Sequence, residues 1–329
     1  YLSVQDQFGR TIEYLRLSVT DRCNLRCRYC MPEEGVAGLA HGDVLRYEEM
    51  LRVVAAACRL GIRKVRVTGG EPLVRRGIVS FIGQLAALPE KPEITLTTNG
   101  MLLAEHAEAL RAAGLSRVNV SLDTMRPERF KELTLRTGLE QVLAGIEAAE
   151  KAGLLPIKLN IIPFVDFNTD EILDFARLTL EHPWDVRFIE FMPISSDLDY
   201  ASRDGLPMAD VEARLRTLGE LEALPYQRTS GPAHMYRLSG AKGRVGLIPA
   251  VSGHFCGDCN RLRVMADGRI RGCLFDNQET DLKPILRDGG DDQALEDLLL
   301  AAACGKPEKH QINGKDFTTP NRRMHGIGG

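Results

Sequence analysis

The chain has 329 residues, with 42 Lys and Arg against 45 Asp and Glu, a formal net charge of −3 at pH 7. That balance excludes a surface drawn as a whole to nucleic acid or anionic membrane, so an anionic ligand must be met by a local basic patch. Hydrophobic residues at 44% and charged residues at 26% are ordinary globular usage, and neither a leader peptide nor an apolar run of membrane-spanning length is expected.

In chain order, short β-branched runs alternate with longer amphipathic ones. Strands are expected at 14–19, 64–68, 93–97, 117–122, 156–162 and 185–191, and helices at 47–60, 77–88, 103–113, 139–152 and 169–181. Glycine follows several helical patterns, as at Leu60-Gly61, Ala113-Gly114 and Ala152-Gly153, where helices commonly stop. Such alternation means a parallel sheet wound with right-handed crossovers. Six strands are too few for a closed eight-stranded barrel, so the expected fold is α/β, an open partial (βα)6 barrel. From about Thr217 the pattern changes: 225–235 reads as loop, and shorter β runs follow at 245–248 and 261–264. A boundary near Leu224 is expected, giving a barrel over 1–224 and a smaller α+β domain over 225–329.

The C-terminal ends of parallel strands gather on one rim. Here they carry a cysteine loop, Thr68-Gly69-Gly70-Glu71-Pro72, Thr97-Thr98-Asn99-Gly100, Ser121-Leu122-Asp123, Lys158 with Asn160, and Glu190 with Met192. Each alone is ordinary turn chemistry. Together they read as a site.

The cysteine loop holds Cys23, Cys27 and Cys30 at C-x3-C-x2-C spacing, one thiolate short of a fully ligated four-iron cluster. An iron left open is the mark of a reacting centre. Zinc is the competing reading, but it wants four Cys or His ligands, and His41 lies eleven residues beyond Cys30. Eight cysteines in this length are too sparse for a disulfide scaffold. Cys256, Cys259 and Cys273 form a second trio, C-x2-C-x13-C, with His254 close enough to keep a Cys3His zinc site open as an alternative. Two trios favour two cubanes. Cys58 and Cys304 are expected as small buried hydrophobes.

Basic residues lie beside these features: Arg16, Lys64, Arg66, Arg187, Arg261 and Arg263. Alternate strand residues face one way, so Lys64 with Arg66 and Arg261 with Arg263 project as pairs. Cations inside a barrel need anionic partners, and guanidinium forks match phosphate oxygens.

With Tyr29 just before its last cysteine, the first motif resembles the signature of the radical S-adenosylmethionine (SAM) superfamily. Leu15 to Asn24, Arg66 to Pro72, Arg187 to Met192, Cys259 to Arg263 and the final Gly328-Gly329 resemble, within it, the GTP 3′,8-cyclase family of molybdenum cofactor biosynthesis. The likeness runs from about Phe8 to the end. It implies a radical SAM lyase with two 4Fe-4S clusters, on Cys23, Cys27, Cys30 and on Cys256, Cys259, Cys273. SAM would chelate the first cluster, with Tyr29, Gly70, Glu71, Ser121 and Met192 as contacts and Glu71 on the methionine amino group. A 5′-deoxyadenosyl radical would take the C3′ hydrogen of GTP, and attack on guanine C8 would give (8S)-3′,8-cyclo-7,8-dihydroguanosine 5′-triphosphate.

The resemblance further implies that guanine binds the second cluster. Arg16, Lys64, Arg66, Thr97, Lys158, Arg187, Arg261, Leu262 and Arg263 would bind substrate, and Gly328, Gly329, Arg16, Arg261 and Arg263 would support catalysis. Expected partners are an electron donor, a downstream cyclic pyranopterin monophosphate synthase and a second copy in a homodimer, in the cytoplasm, without nucleic acid or membrane. A radical SAM peptide-modifying maturase with an auxiliary cluster is the alternative, and a non-catalytic zinc-stabilised binding protein a third reading.

Overall fold

A computed structural model of the chain describes residues 4–194, 204–226, 231–253, 255–310, 312 and 319–328. The β-branched runs form six strands, β1 (Tyr14–Ser18), β2 (Lys64–Thr68), β3 (Glu93–Thr98), β4 (Arg117–Ser121), β5 (Lys158–Ile161) and β6 (Asp185–Ile189), each parallel to the next. Alternation divides every strand between two environments. Leu15, Leu17, Val65, Val67, Val118 and Val120 are buried in the core under the helices. Arg16, Arg66, Asn119, Lys158 and Arg187 face the lumen. β5 starts two residues later than expected, after Pro156, which has no N–H for a ladder.

The covering helices are α1 (Tyr47–Arg59), α2 (Ile78–Ala86), α3 (Leu103–Ala112), α4 (Pro127–Thr134), α5 (Leu139–Lys151), α6 (Ile172–Glu181) and α7 (Met208–Leu215). The expected helix from 169 opens instead with a 3-10 turn, Thr169–Glu171, before α6. α4 was not expected from periodicity. It is one short amphipathic stretch with Pro127 in its first turn, where the missing N–H costs nothing.

The C-terminal third adds β7 (Leu221–Ala223), β8 (His234–Leu238), β9 (Arg244–Ile248), β10 (Arg261–Val264), β11 (Arg269–Arg271) and β12 (Thr280–Asp281), with α8 (Lys283–Arg287), α9 (Asp292–Cys304) and α10 (Met324–Ile327). β8 takes in the end of the stretch expected as loop. The strands of this third continue the barrel sheet. β9 pairs parallel with β6, and β10 parallel with β1, so eight parallel strands run β10-β1-β2-β3-β4-β5-β6-β9. Antiparallel β11 and β8 then extend the two edges, and the sheet stays open. Among the described residues no helix is long and apolar enough to cross a membrane.

Of the two cysteines outside the trios, Cys58 is buried as expected. Cys304 is exposed, which corrects its expected burial. α9 packs through Leu295, Leu299 and Ala303, and the next residue is turned about 100° off that face.

The Gly69-Gly70 turn fixes the cysteine loop to the rim. Gly70 N donates to Thr20 O at 2.8 Å and Glu71 N to Arg22 O at 2.8 Å. A Cβ at Gly69 would lie 2.6 Å from Thr20 O, and one at Gly70 would collide with the Arg22 carbonyl. Replacing Gly70→Ala must therefore push back the backbone leading to Cys23. Overpacking of this kind costs about 1–3 kcal/mol, so the variant should unfold at lower denaturant and carry less iron than wild type after reconstitution. An unchanged denaturation midpoint would contradict the packing read here.

Candidate active site

A cavity of about 1510 Å³ occupies the barrel lumen, and all six cysteines of the two trios line it. The first trio sits on the loop that leaves β1. Arg26 N and Arg28 N donate to Thr134 O at 2.9 Å and Leu133 O at 3.0 Å, pinning that loop onto the end of α4. Cys23 Sγ accepts from Leu25 N at 3.4 Å and from Asn99 Nδ2 at 3.7 Å. Burial pushes the Cys30 thiol up to about 12, with Cys23 adding to it, and burial with Cys30 and Cys23 raises Cys27 well above its ordinary value. Thiols so placed ionise readily only when a metal supplies the compensating charge.

The second trio stands on a 3-10 turn, Cys256–Asp258, followed by β10. Burial would raise the Cys259 thiol, but Arg261 and then Lys306 pull it down to about 6. All eight cysteines are free. Among the described residues no group of three or more His, Cys, Asp or Glu is placed to hold a single metal ion. The six thiols line one cavity, and a trio of cysteine ligands leaves one corner of a four-iron cluster open. His41 is exposed, and His254 lies outside the described residues.

Register decides how the cations meet. Arg263 of β10 pairs with Arg16 of β1, and Arg16 with Arg66 of β2. One layer away Arg261 pairs with Tyr14, and Tyr14 with Lys64. Arg66, Arg187, Arg263 and Lys158 are buried, while Arg16, Lys64 and Arg261 keep some surface toward the cavity. Asp185 answers part of this charge, 3.8 Å from Lys158 Nζ, 3.5 Å from Arg187 and 2.8 Å from Arg244. Glu93 answers another part, 3.7 Å from Lys64 and 2.5 Å from Arg117. Arg16 Nε, Arg187 Nε and Thr97 Oγ1 are buried without a hydrogen-bond partner among the described residues.

The unbalanced charge shows in the titration of the wall. Burial, then Arg66 and Arg261, lower Arg16 to about 10, and burial with Arg16 and Arg261 takes Arg263 far below its usual value. Burial and Arg66 bring Lys64 to about 8, and burial and Arg187 bring Lys158 to about 5. Tyr14 was missed in the sequence. Burial would raise it, yet Arg66, Arg16, Lys64 and Arg261 draw it down to about 8, and its ring lies 5.2 Å from Lys64 Nζ and 5.5 Å from Arg66 Cζ. Its position two residues before Arg16 on one strand was the available signal.

The tail enters the lumen. Gly328 has φ +77°, and a Cβ there would lie 2.7 Å from Thr68 Oγ1 and 3.0 Å from Ser18 Cβ, so glycine is required. Its carbonyl accepts from Arg16 at 3.2 Å and Arg263 at 3.4 Å. Gly329 lies outside the described residues. Tyr29, Gly70, Ser121, Met192 and Thr97 line the cavity, and the Tyr29 hydroxyl donates to Asp123 Oδ2 at 2.8 Å.

Two expected site residues are turned elsewhere. Glu71 is fully buried, and its carboxylate accepts from Thr98 Oγ1 at 2.8 Å, Asn99 N at 2.7 Å and Leu73 N at 3.0 Å. It holds the neighbouring rim turn and does not line the cavity. Leu262 points into the core, as the residue between two lumen-facing arginines must.

Residues 17–179 match the model of the radical SAM superfamily, and residues 184–312 that of Molybdenum Cofactor Synthesis C. The GTP 3′,8-cyclase of Geobacter sulfurreducens is 47% identical over 324 residues, covering 98% of this chain and 99% of that protein. Its counterpart in Heliobacterium modesticaldum is 48% identical over 325 residues, 98% of this chain and 99% of that protein. The chain belongs to the GTP 3′,8-cyclase family. Streptococcus suis SuiB bound to precursor peptide SuiA shares the fold, at 14% identity and a TM-score of 0.65 over 98% of this chain and 71% of that one.

Membership in the family brings 4Fe-4S clusters and SAM as cofactors, and the donor sets fit them: two cysteine trios line one cavity, the first after β1 and the second before the parallel β10, with unpartnered arginine nitrogens buried in the same lumen among the described residues. An anion entering among those cations restores protons to Lys158 and Lys64, since negative charge raises a depressed amine pKa. Tyr14 shifts in the same sense. Nucleotide triphosphate binding to the reconstituted protein at pH 7.5 should thus take up protons, read as a binding enthalpy that varies with buffer ionisation enthalpy. Lys158→Met should remove most of the uptake. Release of protons, or no exchange at all, would contradict this electrostatic picture.

Proposed function

We propose that the protein converts GTP to (8S)-3′,8-cyclo-7,8-dihydroguanosine 5′-triphosphate, the first step of molybdenum cofactor biosynthesis. One observation carries this reading: a single lumen holds both cysteine trios with the incompletely neutralised Arg16, Arg66 and Arg263 on its wall. That arrangement suits a substrate with a polyanionic end and a base able to meet a metal centre.

In this reading Cys23, Cys27 and Cys30 hold the first cluster and Cys256, Cys259 and Cys273 the second. Together with SAM, the first cluster supplies a carbon-centred radical able to abstract hydrogen. The remaining work falls to the chain. Tyr29, Gly70, Ser121 and Met192 line the SAM end, with Tyr29 held by Asp123. Arg16, Lys64, Arg66, Lys158, Arg187, Arg261 and Arg263 neutralise the triphosphate where water is excluded, and Thr97 offers its unpaired hydroxyl. The barrel wall and the seated tail keep the reacting carbon from solvent and stray hydrogen donors. Glu71 acts as a positioning residue for the Thr98-Asn99 turn.

The part up to about Leu224 is the radical-generating unit in this proposal, and the remainder supplies the second trio and Arg261 and Arg263. The reaction needs an electron donor, and a cyclic pyranopterin monophosphate synthase takes the product. A homodimer and a cytoplasmic setting belong to the same reading.

Anaerobic incubation with SAM, reductant and GTP should give 5′-deoxyadenosine and the cyclised nucleotide in parallel. If 5′-deoxyadenosine forms while GTP remains intact, the substrate assignment fails. Deleting Gly328 and Gly329 should abolish cyclisation with about eight iron per chain retained, because it removes the carbonyl on Arg16 and Arg263. A fully active truncation would remove the tail from the mechanism.

A further inference from the structure

The stretch after α9 returns to the second cysteine trio. Lys306 is 2% exposed, and its ammonium donates to Arg261 O at 3.2 Å and Gly272 O at 2.7 Å. Arg261 comes two residues after Cys259, and Gly272 directly precedes Cys273. One side chain thus ties together the two backbone stretches that present these thiols. A Cβ on Gly272 would lie 3.2 Å from Lys306 Cα, so the two segments are in close contact.

The third thiol is tied to the same stretch from the other side. Arg10 donates to Pro307 O at 2.7 Å and Glu308 O at 2.8 Å, and its Nη1 also reaches Cys256 O at 2.8 Å. Asp6 holds Arg10 through Nε at 2.6 Å. Arg10 therefore has a carboxylate for its charge. Lys306 is bonded to carbonyls, which satisfy its N–H groups but do not neutralise it. Its ammonium thus sits on the backbone beside Cys259 and Cys273, where a cluster held by them would feel its charge.

We propose that Lys306 is a positioning residue of the second cluster, fixing the Cys259 and Cys273 backbones relative to each other and raising the cluster's reduction potential with its charge. The proposal rests on the reading of Cys256, Cys259 and Cys273 as cluster ligands. Its sign follows from electrostatics. Reduction adds one negative charge to the cluster, and a fixed cation nearby stabilises that state, so removing the cation makes reduction harder.

The test uses the full chain reconstituted anaerobically, with iron and sulfide analysis and redox titration followed by electron paramagnetic resonance. Lys306→Met removes both anchoring and charge, and should lower iron from about eight to about four per chain while the first cluster's signal persists. Lys306→Gln keeps an N–H donor without the charge. It should retain about eight iron, with the second cluster's potential shifted to more negative values and the first cluster's unmoved. Should Lys306→Met lose both clusters through misfolding, Lys306→Gln still decides. Full iron in both variants, with the second potential unchanged or more positive, overturns the role of Lys306. A Cys256→Ala chain with Lys306 intact that keeps about eight iron instead removes the ligand reading itself.

Discussion

Positive charge held inside the barrel without enough negative charge to match it is the constraint around which this molecule is arranged. Neighbouring strands lie about 4.8 Å apart, and the register puts Arg263, Arg16 and Arg66 on three of them side by side. Such a row repels itself and resists burial. It is held because the opposite face of the same strands, Leu15, Leu17, Val65 and Val67, is packed without exposure under the helices, where aliphatic burial supplies the stability the lumen lacks. The stable face and the strained face are the same strands read at alternate residues.

Several features answer that constraint in part. Asp185 and Glu93 each serve more than one cation. Tyr14 offers its ring to two of them and its phenol to the shared field. The carbonyl of Gly328 rests on Arg16 and Arg263. None of these equals a polyphosphate in charge. The remaining imbalance gives the site its preference for a polyanion, and it makes the C-terminal third part of the site. β10 delivers Arg261 and Arg263 beside β1, with Cys256 and Cys259 just before them.

The rim carboxylates show a different use of burial. Glu71 gives both oxygens to the Leu73 and Thr98-Asn99 groups. Glu190 accepts from Val251 N at 2.7 Å and from Ser252 N and Oγ at 2.8 and 2.5 Å, fixing the turn that follows β9. Both act on loops. A carboxylate that satisfies backbone N–H groups at a strand end sets the shape of the rim loop it holds.

Local spacing was enough to reveal the six barrel strands, most of their helices, the first cysteine loop and the family. Each of these depends on neighbours a few residues apart: alternation puts Arg16 and Arg66 in the lumen, and C-x3-C-x2-C gathers Cys23, Cys27 and Cys30 on one loop. Other features were not legible, because their partners lie far along the chain. β9 and β10 join opposite edges of a sheet whose other parallel strands come from the first part of the chain. Glu71 turns away from the cavity because Thr98 and Asn99 claim its oxygens. Cys304 is exposed because α9 uses another face. Lys306 finds Arg261 and Gly272 across 45 and 34 positions. Sequence periodicity specifies which way a side chain points from its own strand or helix; what it meets there depends on pairing between distant segments, which only folding brings into register.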